Sequence, residues 1–327
     1  MADGKTLQEK VLPVTLKPQE STTVRTFVPK GSSECFVNLS VVTKEKDGVI
    51  PAGHVIAHDQ FRLSEQTNRP QYKAGGAKPQ IVNEGDRIVV SSPKVQFVFD
   101  KKNGIVTSYK VGGKEYFHDG FGLRPNFWRA PTDNDYGNGA PEREQIWKQS
   151  SRHFHVTDAT ARIEGNQAIV GTTFLLPAGN LYIVDYTISP SGVMNVSARF
   201  TSTELSAAEA EASEATRTAT FTPGKEAARK EASQLNVPRI GVRFRLPASM
   251  NTVRYFGRGP EENYWDRKAG TPVGLYQSTA DQLYFPYVRP QENGHHCDTR
   301  WLSLTAGNGG GLLIVADSLI EFNALRN

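Results

Sequence analysis

Cysteine is nearly absent from this 327-residue chain: only Cys35 and Cys297 occur, far apart. Two such residues make no disulfide framework, and neither has the Cys/His spacing of a zinc site. His295-His296-Cys297 invites a metal reading. Neighbours along a strand point to opposite faces, however, so these three adjacent side chains do not converge, and no metal ligand is assigned. An excess of one charge is also lacking: 38 basic and 34 acidic residues leave a formal +4. No stripe of Lys/Arg with interleaved aromatics occurs, which argues against a nucleic-acid partner. No apolar run approaches the length of a membrane span, and no signal peptide is recognisable, so no membrane partner is expected. A helical apolar period of 3.6 residues is almost missing as well.

What the chain does have is β signal throughout. Leu12, Val14 and Leu16 alternate with polar neighbours and Pro13, as an edge strand or strand start would. Cys35, Val37, Leu39 and Val41 form a cleaner apolar face, and His54 to Leu63 is a further strand after the Asp47-Gly48 turn. Residues 1–63 therefore read as a small β-sandwich, immunoglobulin-like in architecture only. Residues 64–79, polar with Pro70, Pro79 and Gly75-Gly76, read as a linker. From 80 to 327 short strands recur with hairpin signals at Asn103-Gly104, Gly112-Gly113 and Ser191-Gly192. The fold class expected is all-β, with a large two-sheet sandwich as the second domain. The stretch 206–233 breaks the pattern. Rich in Ala, Glu, Thr and Lys and split by Pro223-Gly224, it reads as a solvated insertion. Met1-Ala2-Asp3-Gly4 runs almost straight into strand-like sequence, so the natural N-terminus is expected upstream.

The densest chemistry lies in RPNFWRAPTDNDYG, from Arg124 to Gly137. Pro125 and Pro131 fix φ and remove donors, which predicts a shaped, mostly extended loop. Polar density on such a loop marks a site more often than a core. A retaining glycosidase needs two carboxyl groups roughly 5 Å apart. Asp133 and Asp135 share a side of an extended loop at about 7 Å, which does not exclude that role. Nothing nearby supplies the apolar wall that would raise one pKa. Asn134 between them favours a turn, since Asx side chains bond nearby backbone amides. An EF-hand reading of Asp133, Asp135 and Glu144 fails because its fifth and sixth positions hold Gly137 and Asn138. A structural turn and a loop lining a sugar site both stand.

Two further motifs share this character. In GRGPEENYWDR, Gly257 to Arg267, the glycine spacing fits neither dinucleotide nor P-loop signatures. Glu261, Glu262 and Asp266 are expected to bond Arg258, Arg267 or backbone amides. In YVRPQENGHHCDTR, Tyr287 to Arg300, the side chains of Glu292, Asn293 and His295 suit sugar hydroxyls, which want paired donors and acceptors; a bare hairpin turn is the alternative. Trp128, Trp147, Trp265 and Trp301 each offer a flat face, with Trp128 inside the dense motif the best platform for sugar stacking.

Three motifs in this order, RPNFWRAPTDNDYG, YFGRGPEENYWDRKAG and LYFPYVRPQENGHHCDTRWL, resemble the last domain of the glycoside hydrolase family 2 β-galactosidases. His296 departs from the Arg common before that Cys. AGHVIAHDQFRL resembles the preceding immunoglobulin-like domain. The resemblance covers nearly the whole chain apart from 206–233. It implies a β-supersandwich similar to galactose mutarotase over 80–327. It implies part of an enzyme that hydrolyses β-galactosides with retention, with magnesium and sometimes sodium in a catalytic barrel. It also implies that Asp133, Asn134, Asp135 and Gly137 line the sugar site, Gly137 being the hinge of a mobile loop. The family's two catalytic glutamates lie in a (β/α)8 barrel, and no βα repeat occurs here, so no catalytic residue and no cofactor are assigned to this chain. The family's last domain continues beyond the equivalent of Asn327, so that domain is expected to be truncated. The expected role is a non-catalytic C-terminal fragment that shapes one wall of a galactoside site, partnered by the barrel and by further copies in a homo-oligomer. A stand-alone carbohydrate-binding or mutarotase-like protein, using His295 with Glu292, is the alternative. The compartment is left open between bacterial cytoplasm and periplasm.

Overall fold

The computed structural model describes residues 4–12, 14–25, 34–64, 75–201 and 236–326. The 206–233 insertion and most of the expected linker lie outside them. In chain order the strands are β1 Phe36–Val42, β2 Val55–Arg62, β3 Gln80–Glu84, β4 Arg87–Ser91, β5 Val95–Asp100, β6 Ile105–Val111, β7 Lys114–Glu115 and β8 Arg124–Asn126. Three short helices follow: α1 Asp133–Gly137, α2 Ala140–Arg143 and α3 Gln145–Ser150. Then come β9 Val156–Glu164, β10 Gln167–Leu175, β11 Leu181–Ile188, β12 Met194–Thr201, β13 Gly241–Arg243, β14 Thr252–Arg258 and β15 Val273–Thr279. A turn of helix α4, Ala280–Leu283, precedes β16 His295–Thr305 and β17 Gly311–Asn323. The described pairings are antiparallel, and the chain is all-β.

Backbone proximity gathers the described residues into two compact units. One draws on Tyr72–Met250 with Pro286–Glu292. It contains a five-stranded sheet in the order β3-β4-β5-β6-β7 and a four-stranded sheet in the order β12-β11-β10-β9. Alternation sends Ile88 and Val90, Phe97 and Phe99, and Tyr182, Val184, Tyr186 and Ile188 into a common core. The Tyr186 ring lies 5.8 Å from Phe97 and 5.9 Å from Phe99, so side chains of the two sheets interdigitate. Gly104 makes the β5–β6 turn with φ 68°, and a Cβ there would come within 2.5 Å of the Phe174 ring. Glycine is required on both counts.

The other unit draws on Met1–Gln71, Asn251–Phe285 and Asn293–Asn327. Its sheets are the pair β1-β2 and the four-stranded β15-β14-β16-β17. Val253, Tyr255, Leu302 and Phe322 form one apolar cluster, and Phe256, Val273 and Trp301 a second that Phe36 joins. Glu34, just before β1, is 3% exposed at its side chain. Its Oε1 accepts from Arg300 at 2.6 Å and lies 3.0 Å from Arg62, while its Oε2 accepts from Arg300 at 2.9 Å. The Gln60 amide fastens the backbone of Val273 through two hydrogen bonds of 2.8 Å.

The expected strand around Leu12 to Leu16 is corrected: the described residues there form none, and Val14 and Leu16 stay 46% exposed. Conversely, β9 packs Val156, Ala159, Ala161 and Ile163 against the core, and the two alanines in the middle of that face give little strand signal.

Candidate functional site

The Arg124–Gly137 segment is not a mostly extended loop throughout. Its start is strand β8, paired with β13 through Arg124–Arg243, Pro125–Val242 and Asn126–Gly241. Its end, Asp133–Gly137, is one turn of helix. Thr132 supplies the N-cap: the Asp135 N–H donates to its Oγ1 at 3.4 Å, and Asp135 Oδ2 accepts from the Thr132 N–H at 2.7 Å. This reciprocal capping box replaces the expected Asx turn. The signal was in the sequence as Thr132-x-x-Asp135, a box closed by Asp where Glu or Gln is usual. Gly137 ends that helix, and the positive φ lies two residues on, at Gly139 with 71°. Gly139, not Gly137, holds the left-handed conformation here, as the N-cap of α2.

Within this unit one guanidinium ties two of the predicted positions together. Arg129 lies between Asp135, at 2.9 Å to Oδ1 and 2.7 Å to Oδ2, and Glu292, at 3.7 Å. Arg239 also bonds Glu292. The Glu292 side chain is 13% exposed and Asp135 16%, so both carboxylates are compensated where they are largely withdrawn from water. Arg129 stood inside the dense motif and Arg239 outside it; nothing in sequence spacing singles either out as a bridge. Asp133 differs. Its N–H donates to the Pro290 carbonyl at 2.8 Å, while its carboxylate, 44% exposed, lies 3.4 Å from the exposed Arg289. Asn134 and Tyr136 are exposed on the same short helix.

Trp128, Arg129, Pro131, Asp135, Ala140, Pro141, Glu144 and Pro238 line a shallow, open cleft with a cavity volume of only about 10 Å³. That is far below the ~300–1,000 Å³ of a complete small-molecule pocket. Trp128 packs its body against the core, and the Lys148 ammonium sits 5.7 Å from its ring centre. Trp147 and Trp301 are buried as core, whereas Trp265 is 75% exposed with Lys268 over its ring.

The unit boundary falls between Glu292 and Asn293, so the second and third motifs lie largely in the other unit. Most of their polar groups are structural. The Asn293 amide brackets the backbone of Phe285, accepting from its N–H at 2.8 Å and donating to its carbonyl. Asn263, fully buried, donates to the carbonyls of Arg258 and Glu261 and accepts from the Cys297 N–H. Glu262 accepts from Arg267, Tyr264 and the Gly294 N–H, as expected of an acid in that loop; Arg258 pairs instead with Asp298. His295 is buried, its Nδ1 2.9 Å from Asn323 and its Nε2 3.1 Å from Glu321. His296, where the family motif carries Arg, stacks on Phe322 and meets the Arg258 carbonyl through Nδ1. Burial pushes its pKa down to about 4, so it sits neutral.

Two family models match the chain: one described as beta galactosidase small chain, over residues 91–327, and one described as beta-galactosidase, domain 4, over residues 1–64. A beta-galactosidase of Priestia megaterium is 31% identical over 296 residues, covering 90% of this chain and 26% of that protein. One from Streptococcus thermophilus is 28% identical over 331 aligned positions, 99% of this chain and 29% of that protein. One from Kluyveromyces lactis is 30% identical over 312, 91% and 26%. The chain thus spans between a quarter and three tenths of the length of these relatives.

Proposed function

The chain belongs to the β-galactosidase small-chain family, and from that premise we propose that it is the non-catalytic C-terminal part of a β-galactosidase-like retaining glycoside hydrolase. Its role is to shape one wall of a galactoside site and to support packing against a catalytic barrel and further subunits. The observation that carries this reading is the Arg129 bridge beside a cleft too small to enclose a sugar alone. Asp135 and Glu292 hold that wall through Arg129, and the half-exposed Asp133 is the carboxylate left to meet a hydroxyl. The nucleophile and acid/base glutamates of such an enzyme would reside in that barrel. Magnesium, and sodium where used, would belong to that barrel. We retain 1–63 as an immunoglobulin-like domain, 64–79 as a linker and 80–327 as a mutarotase-like supersandwich within this proposal.

The mutarotase-like alternative needs His295 and Glu292 as a free acid/base pair. Both His295 nitrogens are engaged by Asn323 and Glu321, and Glu292 is held by Arg129 and Arg239, which favours the first reading. The test is hydrolysis of a chromogenic β-galactoside by the purified chain. No turnover is expected. Turnover that survives repurification and disappears in Asp133→Asn would overturn the proposal.

A further inference from the structure

We propose that His295, Cys297 and Glu321 bind a divalent cation of the zinc class. The sheet performs the convergence that three adjacent residues cannot. His295 and Cys297 stand two apart on β16 and share a face. His295 is paired with Asn323 on β17, and the register shifts between His296 and Thr299, an irregularity that sets Glu321 opposite the Cys297-Asp298 segment. The imidazole nitrogen, the thiol sulfur and a carboxylate oxygen all lie within 4.8 Å of one another. His295 and Cys297 are buried, while the Glu321 side chain, 36% exposed, leaves an approach from water.

The hydrogen bonds determine what must lie between them. Asn323 Nδ2 donates to the Asn293 carbonyl at 2.9 Å. A carbonyl only accepts, so the orientation of that amide follows, and its Oδ1 is the atom 2.9 Å from His295 Nδ1. Nδ1 must then carry the hydrogen. In a neutral imidazole Nε2 therefore presents a lone pair, and it faces Glu321 Oε2 at 3.1 Å. Two acceptors at that distance require a shared proton, on the ring or on the carboxyl, or a metal ion between them. A proton joins two atoms. A cation takes three, and the third donor, Cys297 Sγ, is in place. A neutral imidazole, a thiolate and a carboxylate carry two negative charges, matching a divalent ion. A nitrogen, sulfur and oxygen set with room for a water is zinc chemistry rather than that of magnesium or calcium. Asn323, holding Nδ1, is the outer partner that ligating histidines characteristically have. Without a cation, burial and the Glu321 carboxylate push the Cys297 thiol up to about 12, so loading at neutral pH must release its proton.

The experiment uses the full 327-residue chain, stripped of metal. Zinc is titrated against a chromogenic chelator, and cobalt(II) is added separately and followed by absorption. The expected result is one equivalent of zinc, with four-coordinate visible bands and a near-ultraviolet thiolate-to-cobalt band. Cys297→Ser should abolish the charge-transfer band. Glu321→Gln and Asn323→Ala should each weaken zinc roughly 10–100-fold. Cys35→Ser should change nothing. Glu321→Gln alters a partly exposed side chain, so its circular dichroism should match the parent and its result decides if Cys297→Ser fails to fold. Zinc binding no tighter in the parent than in Glu321→Gln, or a charge-transfer band that persists in Cys297→Ser, overturns the proposal.

Discussion

Replacing Asp135 by alanine should destabilise the chain far more than the same change at Asp133. Asp135 closes the capping box with Thr132, and losing such a cap costs about 1 kcal/mol. It also receives two guanidinium contacts from Arg129 at 2.7 and 2.9 Å with only 16% of its side chain exposed; a hydrogen bond to a charged group at such a place is worth roughly 1.5–3 kcal/mol. Arg129 keeps Glu292 at 3.7 Å after the change, which limits the damage. Together these give about 2.5–4 kcal/mol. Asp133 has a 44% exposed side chain and one 3.4 Å contact to an exposed arginine, worth about 0–1 kcal/mol in water. For a unit of this size a change of 1 kcal/mol moves the melting midpoint by roughly 2–4 °C. Asp135→Ala should therefore melt roughly 5–15 °C lower than the parent and Asp133→Ala less than about 4 °C lower. The assay is thermal unfolding followed by far-ultraviolet circular dichroism, with Arg129→Ala and the double variant closing a cycle. Equal midpoints for the two aspartate variants would refute the division into a carboxylate that builds the wall and one that faces outward. In a barrel-bearing enzyme the ranking should invert, with Asp133→Asn raising KM while leaving stability nearly unchanged.

Glu34→Gln should cost about 3–5 kcal/mol, because it leaves two guanidinium groups facing a neutral amide at a buried position; urea unfolding in low salt and in 1 M salt should show nearly the same loss, since buried pairs are weakly screened. A loss below about 1 kcal/mol would mean that the arginines find water instead. Glu115 predicts an acid response. Burial raises its pKa, but hydrogen bonds from Ser108 and from the N–H groups of Phe117, Tyr109 and Tyr116 more than offset this and hold it below its ordinary 4.5. The folded state thus binds its proton less readily than the unfolded chain. The added stability is complete above that ordinary value and is lost as pH falls through the folded one. Between pH 6 and pH 3 the parent should lose more stability than Glu115→Gln, and parallel curves would sink the argument.

Much of the β architecture was legible because hairpins announce themselves. Asn103-Gly104 and Ser191-Gly192 lie where strands reverse, and the flanking alternation matches the buried faces of β5 and β11. What escaped was structure whose cause is tertiary. β9 has alanines at the centre of its packed face, and the helices between Asp133 and Ser150 are too short to show a period of 3.6. The three motifs could be tied to a family, yet which of their side chains hold the backbone and which face outward depends on partners remote in sequence. Glu292 and Asp135 are joined by an arginine that spacing does not mark. His295 was grouped with His296 and Cys297 by adjacency, whereas the sheet groups it with Cys297 and Glu321.

The Glu34 pocket also bears on synthesis. Its carboxylate and the Arg300 that neutralises it are separated by 266 positions. At about 5–20 residues per second a ribosome needs roughly 10–50 s to bring the second after the first. Throughout that interval the β1–β2 hairpin has emerged with Arg62 beside its acid but without Arg300, which later supplies the two-pronged contact. The Glu34 pocket is therefore closed only after translation has passed residue 300, so co-translational folding and refolding of the finished chain complete it by different orders of events.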